Sequence, residues 1–436
     1  MASSPTRRRA LQLLLGAVPC GAWLLTQRAR ASATPAPPLA KGQPTVRVLM
    51  PAPFADATAD AVRRYNAGSP PWRIAVSRGP LDTEALSDLA SSSLLLGETP
   101  FDLLLMDISW TARYAAAGWL EPLEPLLGDD ALAQMVPTAR LGNAFGGHLW
   151  RLPLSGDTAL LYWRTDLLPR PPRDLQELLT MARELQDQGR VRWGHLWQGR
   201  QYEGLSCVVL EVLHAFGGRW WDPEIGRTLL TSPEALEAIT WLADLVRTGV
   251  SPRGVANFAE NDALQLFSAG DAAFLRNWPY AWALLNQEGC PVRGRVAVTP
   301  LPGARGFPGG GTLGTWGFSL LAGSPHPRAA AQVMRWFTGL DVQRELLITQ
   351  GYAPTWSALY DDAALVAQHP LLTVQRQALD TPLVRPLTPL YAQISDVLQR
   401  QINGLLTSSE APATALERAQ GQSDQILRAT GALASA

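Results

Sequence analysis

Short apolar runs alternate with longer amphipathic stretches through the first third of the chain. Val46–Met50 reads as a strand, Ala57–Tyr65 as a helix, Trp72–Val76 as a strand and Thr83–Leu96 as a helix. Phe101–Met106 is then an apolar run that ends at Asp107. Strands alternating with helices predict an α/β layer built on buried parallel strands. In such sheets ligands bind just past the carboxyl ends of the strands, and Asp107 occupies that kind of place. The middle third is richer in helix. Ser232-Pro233-Glu234 has the order of an N-cap, a first-turn proline and a dipole-complementing acid. Leu236, Ile239, Ala243 and Val246 follow as one apolar face, and Gly249 is placed to close that helix. Ser324-Pro325-His326-Pro327 opens another helix, with Val333, Trp336 and Phe337 as its buried stripe. Val296–Gly303 predicts a strand running into a loop, and Trp316–Leu321 predicts a strand.

Composition narrows the class. With 436 residues the chain exceeds what one core usually supports, so two domains are expected. At 47% hydrophobic and 17% charged it can bury a large interior. A net charge of −1 offers no basic excess to follow a phosphate backbone, which argues against nucleic acid as a partner.

The first 33 residues read as an export signal. Arg7-Arg8-Arg9 precedes a short apolar run, Ala10–Ala17, and Ala31-Ser32-Ala33 offers a cleavage site. The arginines resemble a twin-arginine signal. An uncleaved anchor and lipidation at Cys20 are the alternatives. Residues 34–45 form a Pro-rich tether. The two remaining cysteines, Cys207 and Cys290, would lie in an oxidising compartment, either as a disulfide or as buried thiols.

Recognisable catalytic patterns are missing. The five histidines show no zinc-ligand spacing, and there is no G-x-S-x-G elbow or Walker motif. Gly309–Gly314 matches G-x-G-x-x-G but precedes a strand, so it lacks the strand–turn–helix setting of a dinucleotide site. No cofactor and no metal are expected. What the chain does offer is chemistry suited to a sugar. A sugar ring has an apolar face for aromatic rings and a rim of hydroxyls for carboxylates and arginine. Trp278, Tyr280, Trp316, Asp107, Asp157 and Arg385 all lie near predicted element ends.

These residues sit in segments that together resemble the extracellular solute-binding proteins of ABC importers, in the sugar-binding class typified by maltose and trehalose/maltose binders. The landmarks are Leu105–Trp110 with Ala117–Leu123, Gly156–Arg164, Trp197–Gly204, Arg276–Trp282, Thr312–Gly317 and Gly351–Thr355. The resemblance spans nearly all of the chain after the tether. It implies an α/β fold of two lobes joined by a hinge, with residues 46–153 and 318–355 in the N-terminal lobe and 154–317 and 356–436 in the C-terminal lobe. It also implies that Asp107 and Asp157 bind hydroxyls, that Trp278, Tyr280 and Trp316 stack on the ligand, that the Gly314 backbone approaches it, and that Arg385 reaches it. Asp56, Trp110 and Glu203 are further candidates. The family often has an arginine in the helix after the second strand; here Asp82–Asp88 contains none. A disaccharide or smaller glucoside is the implied ligand, such as trehalose, sucrose, maltose or glucosylglycerol. A permease with its ATPase is the implied partner of a monomer working outside the cytoplasmic membrane.

Simpler roles stand beside these. Asp107 suits the N-cap of the Ser109–Ala117 segment, Arg385 suits a salt bridge between lobes, Asp157 suits a turn cap, and the three aromatics suit ordinary core. Two other functions share the composition: a secreted glycoside hydrolase or lyase with two cleft carboxylates, and a sugar sensor.

Overall fold

The computed structural model describes residues 44–96 and 100–431. The expected export signal, its Ala33 cleavage site, Cys20 and most of the tether lie outside the described residues. Among those described, no helix is long and apolar enough to cross a membrane.

Two sheets, each with its own core, make two lobes. The first sheet uses β1 (Thr45–Met50), β2 (Arg73–Arg78), β3 (Leu103–Asp107) and β4 (Leu152–Pro153). The chain then builds the second sheet from β5 (Leu160–Arg164), β6 (Trp193–Leu196), β7 (Ala272–Asn277) and β8 (Val296–Pro300). A short strand, β9 (Gly311–Thr312), leads back to β10 (Trp316–Leu320) in the first sheet, and β11 (Pro382–Leu383) later pairs with β9. Strand order is β2-β1-β3-β10-β4 in the first lobe and β8-β5-β7-β6 in the second. β1 runs parallel to β2 and β3, as the alternating pattern predicts. β10 and β5 do not: each pairs antiparallel with its neighbours, so both sheets are mixed. A strand entering a sheet from the other lobe is free of the crossover rule that forces parallel order.

The helices form where periodicity places them. In the first lobe, α1 (Ala52–Ala67) buries Ala55, Thr58 and Val62, and α2 (Thr83–Leu95) starts at Asp82, whose carboxylate accepts from the Glu84 and Ala85 N–H groups. In the second, α3 (Glu203–Ala215) is buried along almost its whole length, and α4 (Pro233–Arg247) is capped by Ser232 as expected. α5 (Pro327–Phe337) begins at Pro327, while the Ser324 hydroxyl donates to Asp102 and accepts the His326 N–H at 3.3 Å. Two long helices, α6 (Tyr391–Thr407) and α7 (Pro412–Ala429), close the second lobe. The stretch 357–378 straddles the lobes rather than belonging wholly to the second. Leu359, Leu365 and Leu372 enter the first-lobe core, while Leu371 and Ala378 enter a second-lobe cluster. Short helices with apolar residues on two sides can pack against both. Cys207 is a buried thiol that does not pair with Cys290.

Three segments pass between the lobes: 154–159, 313–315 and 351–356. They are stitched together. Thr158 bridges Leu313, the Gly314 N–H donates to the Asp157 carbonyl at 2.8 Å, and the Gly156 N–H donates to the Ala353 carbonyl at 2.8 Å.

On β7, Arg276 lies at 2% exposure and forms a two-pronged ion pair with Glu211 of α3, at 2.9 and 2.6 Å. Glu211 also accepts the Thr312 N–H at 3.1 Å, so one buried pair ties β7, α3 and β9 together. Removing one partner of such a pair strands the other without water. Arg276→Met is therefore expected to cost about 3–5 kcal/mol of unfolding free energy, measured by urea denaturation.

Candidate functional site

The carboxyl end of β3 carries Asp107, and antiparallel pairing sets Trp316, the first residue of β10, directly opposite it. Asp107 is 5% exposed. Its Oδ1 accepts the Ser109 N–H at 2.9 Å and the Ser109 hydroxyl at 2.6 Å, so it does cap the following turn. It also meets Arg385 from the other lobe, at 2.8 Å to Oδ1 and 3.1 Å to Oδ2. Both simple roles thus hold together with a position at the cleft. Oδ2 has bonding capacity left, since a carboxylate oxygen takes two donors.

Arg385 continues the bridge. Its guanidinium donates to Glu203 Oε1 at 2.7 Å, and Glu203 in turn accepts from the Tyr391 hydroxyl and, at 3.0 Å, from the Ser395 hydroxyl. Burial pushes the Glu203 carboxyl up, against the pull of Arg385. The lobes touch again at the rim. Arg200 lies 3.3 Å from Asp82, and the Glu203 N–H donates to Glu84 at 3.2 Å. Asp82 and Glu84 stand in the segment that lacks the arginine implied by the resemblance; here they are partners for the second lobe.

Beside this bridge lies a cleft of about 260 Å³. Thr83, Glu84 and Ser87 of α2 and Trp110 line one side; Gln201, Glu203 and Tyr391 line the other. Of the residues expected from sequence, Trp110 and Glu203 line it, and Asp107 and Arg385 bond to its wall residues Ser109 and Glu203. Among the described residues, no group of three or more His, Cys, Asp or Glu is placed to hold a metal ion.

The aromatics divide by lobe. Trp316 belongs to a first-lobe series of rings: Tyr352 stacks on Phe54 at 4.6 Å, Phe54 lies 5.6 Å from Trp316, and Trp110 meets Trp316 edge-on at 5.9 Å. Trp278 and Tyr280 come from the second lobe, just past β7, and both are half-buried. The Trp278 indole N–H donates to Glu260 at 3.1 Å, and the Arg276 guanidinium lies 4.4 Å from the ring centre. Gly314 sits against this ring so closely that a Cβ there would come within 2.6 Å of it. Gly314 is therefore required by the indole.

Asp157 is a hinge group. Its carboxylate accepts the Ala353 N–H at 2.9 Å while its carbonyl accepts the Gly314 N–H, so it ties all three crossing segments. Asp56 pairs with Arg78 on the surface at 2.8 Å. Glu260, Tyr352 and Tyr391 were not expected from the sequence. Glu260 alone carries a readable signal, as the first acid of a helix (Glu260–Ser268) immediately before the β7 strand.

Burial raises the Asp157 carboxyl to about 7. The folded protein then holds a proton that the unfolded chain gives up near its ordinary value of 3.8, so stability falls as pH rises from about 4 to 7. Asp157→Asn, which keeps the acceptor for Ala353, is expected to remove a few kcal/mol of that pH dependence. Thermal midpoints of both proteins from pH 5 to pH 8 measure it.

A family model for bacterial extracellular solute-binding proteins matches residues 75–344. The chain is 31% identical over 359 residues to a probable ABC transporter-binding protein of Deinococcus radiodurans, covering 80% of this chain and 85% of that one. It is 24% identical to the maltotriose-binding protein of Pyrococcus abyssi, over 71% of this chain and 66% of the relative. Among solved structures it resembles maltose-bound MalE3 of T. maritima, with a TM-score of 0.81, 31% identity, and coverage of 88% of this chain and all of that one.

Proposed function

Since the chain belongs to the bacterial extracellular solute-binding protein family, we infer that it captures a small carbohydrate outside the cytoplasmic membrane and delivers it to an ABC permease with its ATPase. The observation that carries this reading is the Asp107–Arg385–Glu203 bridge, which spans the lobes beside a cleft walled by both. In the cleft wall Trp110 supplies a flat apolar face and Glu203 a charged partner for hydroxyls; Trp316, edge-on to Trp110, and Trp278, Asp107 and Arg385 complete the proposed site. The cleft lies just under the ~300 Å³ at which drug-sized pockets begin, so it suits a small ligand or one end of a longer one. Maltose in the T. maritima structure and maltotriose in the name of the P. abyssi relative support a glucoside.

Its working cycle is hinge closure. A ligand that touches both lobes only when they are together shifts the population toward that state. The permease reads the closed form. No covalent step is required, so the cleft carboxylates serve as hydrogen-bond acceptors.

A thermal-shift screen over trehalose, sucrose, maltose and glucosylglycerol tests this, because a ligand that binds only the folded protein raises its midpoint. One of the four is expected to do so, with no product formed on incubation. Sugar turnover would instead identify an enzyme. Trp278→Ala is expected to weaken binding by about 1–3 kcal/mol in calorimetry, the general cost of losing a buried aromatic anchor. Unchanged affinity would remove Trp278 from the site.

A further inference from the structure

Arg151 is fully buried, at 0% exposure, immediately before the edge strand β4. It makes no ion pair among the described residues; its partners are neutral. Nε donates to the Met106 carbonyl at 3.2 Å. One terminal nitrogen donates to the Asn143 side-chain oxygen. The other donates to the Thr315 carbonyl and, at 2.8 Å, to the Thr315 hydroxyl. Asn143 is itself fixed, its amide donating to the Ala139 and Leu141 carbonyls at 2.7 and 3.1 Å. Burial without a carboxylate partner lowers the Arg151 pKa to about 9, so it remains a cation at neutral pH.

Placing a cation in a dry interior is unfavourable unless its donors are all used, and an apolar side chain would fill the same space at less cost. The two backbone acceptors show what the buried cation holds together. Met106 directly precedes Asp107, and Thr315 directly precedes Trp316. The Thr315 carbonyl also accepts the Ile108 N–H at 3.1 Å, so this one oxygen joins both strand ends to the guanidinium. Gly317 leaves room for the arginine, since a Cβ there would lie 2.8 Å from Arg151 Cγ and Nε.

We propose that Arg151 is a positioning residue for the ligand site: it locks the carboxyl end of β3 to Thr315 at the start of β10, and so holds Asp107 and Trp316 in fixed relation while the crossing ahead of Thr315, residues 313–314, moves. The assignment rests on the carbohydrate-binding reading above. Charge-assisted bonds to carbonyls are about twice as strong as neutral ones, which suits a clamp placed where a flexible crossing meets a rigid sheet. Arg385 and Arg151 thus act on Asp107 from two sides, one bonding its carboxylate and the other holding its backbone.

The test compares the unaltered protein with Arg151→Lys, Arg151→Met and Thr315→Val by calorimetry, using whichever of maltose, trehalose, sucrose and glucosylglycerol the unaltered protein binds. Arg164→Met, which removes a buried arginine of the second lobe from its pair with the exposed Asp166, is the control for general destabilisation. Affinity is expected to fall at least tenfold in both Arg151 variants and less in Thr315→Val, with Arg164→Met binding as the unaltered protein does. In an Asp107→Asn background, Arg151→Lys should cost under threefold, because the group it positions is already impaired; a purely structural role would cost the same in both backgrounds. A folded Arg151→Lys protein that binds within twofold of the unaltered one overturns the proposal and leaves the carbohydrate reading standing. An unaltered protein that binds none of the four sugars overturns both.

Discussion

Two lobes with separate cores need a reason to meet, and here it is charge. Arg385 lies at 3% side-chain exposure between Asp107 of one lobe and Glu203 of the other. Arg385 and Asp107 have lost nearly all their water and Glu203 most of it, so each depends on the others for partners. Separating the lobes exposes them and restores hydration; closing them trades hydration for the bridge. In the proposed closure cycle such an exchange of hydration for ion pairing would leave the two states close in free energy, so that a ligand could decide between them. A purely apolar interface of the same area would hold the lobes shut.

The hinge shows the complementary design. Segments 154–159, 313–315 and 351–356 are held to each other by backbone bonds and by one buried carboxylate, Asp157. They therefore form one ribbon and not three independent linkers. The groups expected to contact the ligand are attached to the ends of this ribbon. Gly314 belongs to it, and Trp316 follows at once, so in the proposed cycle motion and recognition share the same few residues. The Gly314 backbone gains its closeness to Trp278 by lacking a side chain, and Trp278 is held from below by Arg276.

Legibility in the sequence followed range of interaction. Elements set by local periodicity were readable: β1, β3, α2 and α4 fall within a few residues of the pattern that predicts them, and Ser232 caps α4 as its neighbours imply. Asp107 was readable as both a cap and a strand-end carboxylate, because both facts are local. The antiparallel insertion of β10 beside β3 was not, since it depends on a strand returning from another lobe more than 200 residues later. The straddling of 357–378 escaped for the same reason: two-sided apolar helices look alike whether they pack on one core or two.

The sequence by itself determined the α/β class, the aromatic and acidic residue types at strand ends, and the motif order that marks the family. These survive because hydrophobic period, capping and turn chemistry act over a few residues. Tertiary structure alone decided what those residues do to one another. It made Asp157 a hinge tie, gave Asp82 and Glu84 partners across the lobes, turned Asp56 outward to Arg78, and placed the buried Arg151, bonded only to neutral groups, behind Asp107 and Trp316. Such assignments rest on burial and on contacts between distant segments, and neither quantity exists until the chain has folded.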